Sequence, residues 1–174
     1  MNGFEEGYSF YADSSGANVA AQMGNLWVGE VNAAIDTLRS DLLEFSTSGK
    51  TIDTLSGDLA EFWHADTYNI DAILNGSENR AHVPRSTRFA SADVELDTGE
   101  SFQVKYCQDG AHSAKAHAVS YNEASRNPST SKGATEAIRA GANPNDSVYK
   151  GMGRVIPEGQ KEDAVRELKR RIAK

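Results

Sequence analysis

The sequence predicts an α/β fold: helices packed on a small mixed sheet, behind an N-terminal helical extension. Three observations predict it. Residues 18–45 and 56–74 carry apolar side chains at three- and four-residue steps, the period of an amphipathic helix. Residues 92–106 hold two short alternating runs around Asp97-Thr98-Gly99-Glu100, the pattern of paired strands about a turn. Late in the chain, Met152-Gly153-Arg154-Val155-Ile156 reads as a further strand ahead of a charged helix.

The first helix draws its apolar side from Leu26, Val28, Val31, Ile35, Leu38, Leu42 and Phe45. With Trp27, this is more apolar surface than a lone appendage exposes. It predicts either packing onto the chain's own domain or a homodimer or partner-protein contact. Ser46-Thr47-Ser48-Gly49-Lys50 is expected to be a loop. A second helix is expected to begin near Ser56, an N-cap residue type, with Asp58 in its first turn. Leu59, Phe62, Trp63, Ile70, Ile73 and Leu74 are its apolar residues, and Asn75-Gly76 is its stop signal. Residues 77–91 are polar, include Pro84 and leave room for one short edge strand. The hairpin follows. Residues 111–125 are expected to form a single alanine-rich helix. Residues 126–147, with Pro128 and Pro144, are expected to be a flexible insertion holding a short helix at 133–140. Pro157 stops the late strand and opens the last helix, which sets Ala164, Val165, Leu168 and Ile172 on one side. Two units result, an extension at 1–55 and an α/β domain at 56–174. No internal repeat is visible.

Composition narrows the function classes. The chain has 174 residues, 39% apolar and 25% charged, enough to bury a core. No run approaches the roughly 18 apolar residues of a membrane helix, and the acidic start Met1–Glu6 does not read as a signal peptide. The single cysteine, Cys107, excludes an internal disulfide and predicts a cytoplasmic protein; its first reading is a small buried hydrophobe. Net charge is −7, unevenly spread. Residues 1–60 hold 2 basic and 9 acidic side chains, whereas residues 154–174 hold 7 and 4. An acidic whole argues against strong nonspecific binding of nucleic acid, but metal sites are themselves built from carboxylates. Arg166, Lys169, Arg170, Arg171 and Lys174 form either a solvated helix face or one that meets phosphates. The final charged helix has no clear stop, so the chain is expected to be part of something larger.

Candidate chemistry centres on the hairpin. Alternation puts Gln103 and Lys105 on one face, two positions apart, and Asp93 stands on the neighbouring strand. If Asp93 faces the same way, an acid, an amide oxygen and an amine converge, a set suited to metal and water in phosphodiester hydrolysis. Glu61 and His64 are three apart on one helix face. Zinc would more often use two histidines four apart, and His82, His112 and His117 are scattered. Ser113 and Lys115 open the helix after the hairpin, and helix N-termini favour anions. Gly-rich phosphate loops and a serine-hydrolase elbow are absent.

This order of elements, with Asp93 on one strand and Gln103-x-Lys105 on the next, resembles the PD-(D/E)XK nuclease superfamily, the restriction-endonuclease-like fold. Glu61 fits the glutamate that many members carry on the preceding helix. The chain also resembles nuclease-like domains of bacterial mobile elements and toxin or defence systems. The residues that carry this are Glu61-Phe62-Trp63-His64, Gln103-Val104-Lys105-Tyr106 and Arg154-Val155-Ile156-Pro157-Glu158-Gly159-Gln160. It covers residues 56–174.

The resemblance implies a metal-dependent endonuclease acting on DNA, in a bacterial or phage setting. Asp93, Gln103 and Glu61 would be ligands to Mg²⁺ or Mn²⁺. Lys105 would orient or deprotonate the attacking water, or neutralise developing charge. His64, Ser113 and Lys115 would meet the substrate. Gln103 departs from the family pattern, which has an acid there: an amide offers a neutral oxygen where a carboxylate offers a charged one. Glu61 can supply the missing charge. The other reading is a nuclease-like fold without turnover, serving nucleic-acid recognition or protein assembly.

Overall fold

The structure, a computed structural model, describes residues 3–45 and 52–173. The first helix, α1 (Gly3–Glu44), starts well before residue 18. No proline interrupts the preceding stretch. At 1.5 Å per residue it is about 63 Å long. α1 packs along α2 (Ile52–Leu74), with Val31, Leu38, Leu42 and Phe45 half-buried. Trp27 Nε1 donates to the Ile73 carbonyl at 3.1 Å, and the Phe45 and Phe62 rings lie 5.4 Å apart. The apolar residues of α1 are thus divided: Val19, Met23, Leu26, Val28 and Ile35 stay exposed. No helix among the described residues is long and apolar enough to cross a membrane.

α2 begins at Ile52, so Ser56 lies inside the helix and is not its cap. The loop expected at Ser46–Lys50 lies outside the described residues. The stop signal is borne out. Gly76 takes φ 68°, its N–H donates to the Ile73 carbonyl at 3.1 Å, and Ser77 N–H donates to that of Ala72 at 2.8 Å. That is the Schellman pattern, whose left-handed residue glycine accepts without strain.

The sheet runs β1 (Ala81–His82), β2 (Val94–Leu96), β3 (Ser101–Val104), β4 (Gly153–Val155) in spatial order. β1, β2 and β3 form an antiparallel meander, and β4 joins β3 in parallel after a helical crossover. β1 is the edge strand expected in 77–91. Asn69 of α2 serves its open side: its Oδ1 accepts from Ala81 N–H at 2.7 Å and its Nδ2 donates to the Ala81 carbonyl at 2.9 Å. Unpaired edge groups are satisfied without a further strand. One sheet face buries Ala81, Val94, Leu96 and Val104 against Ala60 and Ala65 of α2, with Tyr68, Phe102 and Val155 packed beside them. Asp93, Gln103 and Lys105 belong to the opposite alternation.

The expected helix at 111–125 is broken into α3 (Gly110–His117) and α4 (Tyr121–Ser125). Ser120 starts the second with a capping box: its hydroxyl accepts from Glu123 N–H at 3.1 Å while the Glu123 carboxylate accepts from Ser120 N–H at 2.9 Å. The insertion forms α5 (Ser131–Arg139), and a second small core of Ala124, Ala134 and Val148 holds it, with Phe89, Tyr121 and Tyr149 alongside. Pro157 opens a 3₁₀ turn, Glu158–Gln160, before α6 (Lys161–Ile172).

α3 and α6 approach so closely that Gly110 admits no side chain. A Cβ there would sit 2.8 Å from Ala164 N and collide with the Gln160 carbonyl. Gly110→Ala is expected to cost about 2 kcal/mol, because backbone rather than a flexible side chain must give way. Urea denaturation measures it, and an unchanged midpoint would show that the two helices separate freely.

Candidate active site

The β2–β3 register pairs Val94 with Phe102. One residue further on, Asp93 stands across from Gln103. The ladder changes character there. Asp93 N–H donates to the Phe102 carbonyl at 2.9 Å, while Val104 N–H donates to the Asp93 side chain, Oδ2, at 2.8 Å. Gln103 Nε2 also donates to Oδ2, and Lys105 Nζ lies 3.6 Å from the same oxygen. The three residues expected to converge do so, on one carboxylate oxygen. Lys105 N–H donates to the Val155 carbonyl at 2.9 Å, which ties this strand to β4.

Burial pushes the Asp93 carboxyl above its ordinary pKa, and Lys105 and the Val104 N–H pull it back. Gln103 is 3% exposed, and its Oε1 is buried without a hydrogen-bond partner. An orphaned buried acceptor costs about 1–3 kcal/mol.

Glu61 and Asp93 line one cleft of about 400 Å³. Its other walls include Glu44 and Phe45, so the end of α1 helps build the candidate site. Arg85 stands there too. It is a non-glycine residue at φ 48°, held bidentately by Glu44 at 3.1 and 2.8 Å and lying 4.7 Å over the Phe62 ring. These contacts offset the cost of its left-handed backbone.

No family model, curated protein or solved structure matches this chain. The donor set suits a hard cation in kind: a carboxylate, an unsatisfied amide oxygen, and a second carboxylate on the same cleft. Among the described residues, no three His, Cys, Asp or Glu side chains converge as a ready-made metal cage.

The remaining expected substrate contacts fare differently. His64 shares a hydrogen bond of 2.9 Å with the Tyr106 hydroxyl. Burial lowers its pKa, which favours the neutral ring over a phosphate-binding cation. Ser113 is fully buried. It donates to Gln160 Oε1 at 2.7 Å and accepts from Cys107 N–H at 3.2 Å, while Gln160 Nε2 donates to the Cys107 carbonyl at 2.8 Å. The phosphate contact expected of Ser113 is therefore corrected to a clamp that ties α3 to the segment after β3 and to the 3₁₀ turn before α6. The N-terminus of α3 is also taken by a carboxylate of the chain: Asp109 Oδ1 accepts from His112 N–H at 2.8 Å. Lys115 is exposed and lines the next cleft beyond Lys105.

Sequence reasoning missed Tyr149. Lys105 Nζ lies 5.2 Å from its ring centroid, and burial, together with Asp93, raises its hydroxyl pKa. Tyr149 is 44 positions beyond Lys105 in an unpatterned segment, and no spacing rule pointed to it. Gln160 ends the run from Arg154, but its clamping role depends on tertiary contacts.

Proposed function

We propose that this chain is a metal-dependent nuclease domain that hydrolyses phosphodiester bonds in DNA, in a bacterial or phage defence, toxin or mobile-element setting. The observation that carries it is the convergence of Gln103 and Lys105 on Asp93, at the end of a cleft that Glu61 shares. The helix, three-strand meander, crossover and parallel strand support a restriction-endonuclease-like core. Asp93 and Gln103 would hold Mg²⁺ or Mn²⁺, with Glu61 adding charge from the cleft wall. The ion, when bound, supplies Lewis-acid stabilisation of charge on the phosphoryl oxygens. Lys105 stands beside the Asp93 carboxylate, where it can orient the attacking water or balance charge on the phosphate. β3 and β4 fix its backbone, so the amine is aimed without a large ordering cost.

Calorimetry with Mg²⁺ and Mn²⁺, paired with plasmid nicking, tests this. Binding with metal-dependent nicking supports the nuclease. One observation favours a second reading, a recognition or assembly module without turnover: in the structure Asp93 Oδ2 is already occupied by Gln103, Val104 and Lys105. Metal binding without nicking would favour that module.

Gln103→Glu separates the two uses of Gln103. A carboxylate beside Asp93 removes a donor and adds repulsion, so the apo protein is expected to melt earlier. Mg²⁺ is expected to restore the melting temperature and to bind about tenfold tighter than to the parent, because a charged oxygen replaces a neutral one. Unchanged affinity would remove Gln103 from the ligand set.

A further inference from the structure

The cleft beyond Lys105 adjoins the site and is left unused by the hydrolysis chemistry. It measures about 380 Å³ and lies between the sheet and the 119–149 segment. Phe89, Lys105, Lys115, Asn127 and Tyr149 line it. Lys105 is the shared wall, with its amine 3.6 Å from Asp93 and 5.2 Å from the centre of the Tyr149 ring. Both aromatic walls are held from behind. Phe89 packs directly on the backbone of Gly133 in α5, where any Cβ would strike its ring. Tyr149 N–H donates to Ser147 Oγ at 3.2 Å, and that hydroxyl donates to the His117 carbonyl at 2.8 Å.

A cavity of this size lies in the range for a small ligand. Aromatic faces and cations together suit a planar ring joined to a phosphate. The charge pattern then decides between a single strand and a duplex. A duplex-binding protein makes many phosphate contacts along a basic track. Here the net charge is −7, and the cleft offers two cations, Lys105 and Lys115. Its acid, Glu123, is committed to Ser120 N–H and Oγ at 2.9 and 3.0 Å. One or two phosphates and a stacked base match this lining.

We propose that this cleft binds one unstacked nucleotide of a single strand, with its base against Tyr149 and its phosphate near Lys115, beside the Asp93–Lys105 centre. The inference takes its substrate class from the nuclease reading. It assigns the 119–149 segment a role as substrate wall. It also gives Tyr149 and Lys115 separable contributions, stacking and charge.

Fluorescence anisotropy with a labelled single strand of about 12 nucleotides, and a duplex of the same sequence, tests this in EDTA, where turnover plays no part. The single strand is expected to bind at least about tenfold tighter than the duplex. Tyr149→Leu is expected to weaken it about tenfold at an unchanged salt slope, and Tyr149→Phe to keep parental affinity. Lys115→Ala is expected to weaken binding and to shallow the salt slope by about 0.7, one phosphate contact on a single strand. Lys115 is exposed, so this variant folds whatever Tyr149→Leu does to the second core. Preference for the duplex would overturn the proposal, as would parental affinity and slope in Lys115→Ala. The two readings fail separately. Strand binding without cleavage removes the nuclease and leaves the cleft, whereas metal-dependent cleavage at parental KM in folded Lys115→Ala and Tyr149→Leu removes the cleft and leaves the nuclease.

Discussion

Asp93→Asn is expected to lower the proposed metal-dependent cleavage about 10³-fold while the domain stays folded. One oxygen of Asp93 serves three neighbours. Oδ2 accepts from Val104 N–H and Gln103 Nε2 and faces Lys105. An amide oxygen in the same place still accepts from the backbone and from Gln103. It loses the negative charge that a divalent cation requires and that steadies the lysine. Asp93→Ala is a different experiment. It strands the buried Val104 N–H, frees the Gln103 amide and leaves Lys105 without its acid, so it is expected to cost about 2–3 kcal/mol of stability as well. Plasmid nicking and urea denaturation of both variants separate the chemistry from the scaffold. Parental cleavage by folded Asp93→Asn would sink the active-site assignment. Parental stability in Asp93→Ala would mean that the hydrogen bonds at Oδ2 contribute nothing to the fold.

The legible parts of this chain were those set by short-range geometry. Asp93 and Gln103 face one another because a four-residue turn separates two alternating runs, and alternation then carries Lys105 to the same side. Asn75-Gly76 stopped a helix because the chain there needs a left-handed residue. Glu61 reached the Asp93 cleft because α2 crosses the meander, an arrangement implied by the order of elements. Most of the misses came from contacts distant in sequence. Alanines at 111–125 are permissive of helix but do not say where one stops; the break there is instead a local signal, the capping box Ser120-x-x-Glu123. The 126–147 segment reads as a flexible insertion around one short helix because its anchors, Ala134 against Ala124 and Gly133 against Phe89, have no local period. Ser113 lay at a helix start, where anions are favoured, yet Gln160 claims its hydroxyl from 47 residues away. Leu38 and Ile35 of α1 are equally apolar, but only the tertiary arrangement shows that one meets α2 while the other stays in solvent.

Two buried ionisable groups are expected to bend the stability curve in opposite directions in mildly acidic solution. His117 is 1% exposed; its Nε2 donates to the Val155 carbonyl at 3.3 Å and its Nδ1 has no partner. Burial pulls its pKa down from 6.5 to about 4; the Val155 bond opposes this, and nearby Lys105 and Arg154 add to it. Between those values the unfolded chain binds the proton and the folded one does not, so stability rises with pH. The full contribution stands above 6.5 and is lost as pH falls toward 4, up to about 3 kcal/mol. Asp66 behaves oppositely. It is 7% exposed on α2 with Oδ2 unpartnered, and burial, then Asp41 on α1, raises its pKa from 3.8 to about 6. Between 3.8 and 6 the folded state holds the extra proton, so stability falls as pH rises. The seam between the helices lies near solvent, and screening reduces this cost to about 1–2 kcal/mol. Asp66→Asn is therefore expected to be about 1–2 kcal/mol more stable than the parent at neutral pH, to lose that advantage as acid protonates the parent's carboxyl, and to show the His117 slope uncovered. His117→Gln is expected to leave the Asp66 slope, with stability falling as pH rises toward 6. Urea midpoints across the window read both. An Asp66→Asn protein less stable than the parent at neutral pH would show that the carboxylate is held by a favourable contact, and the seam between α1 and α2 would then gain rather than lose from the acid buried in it.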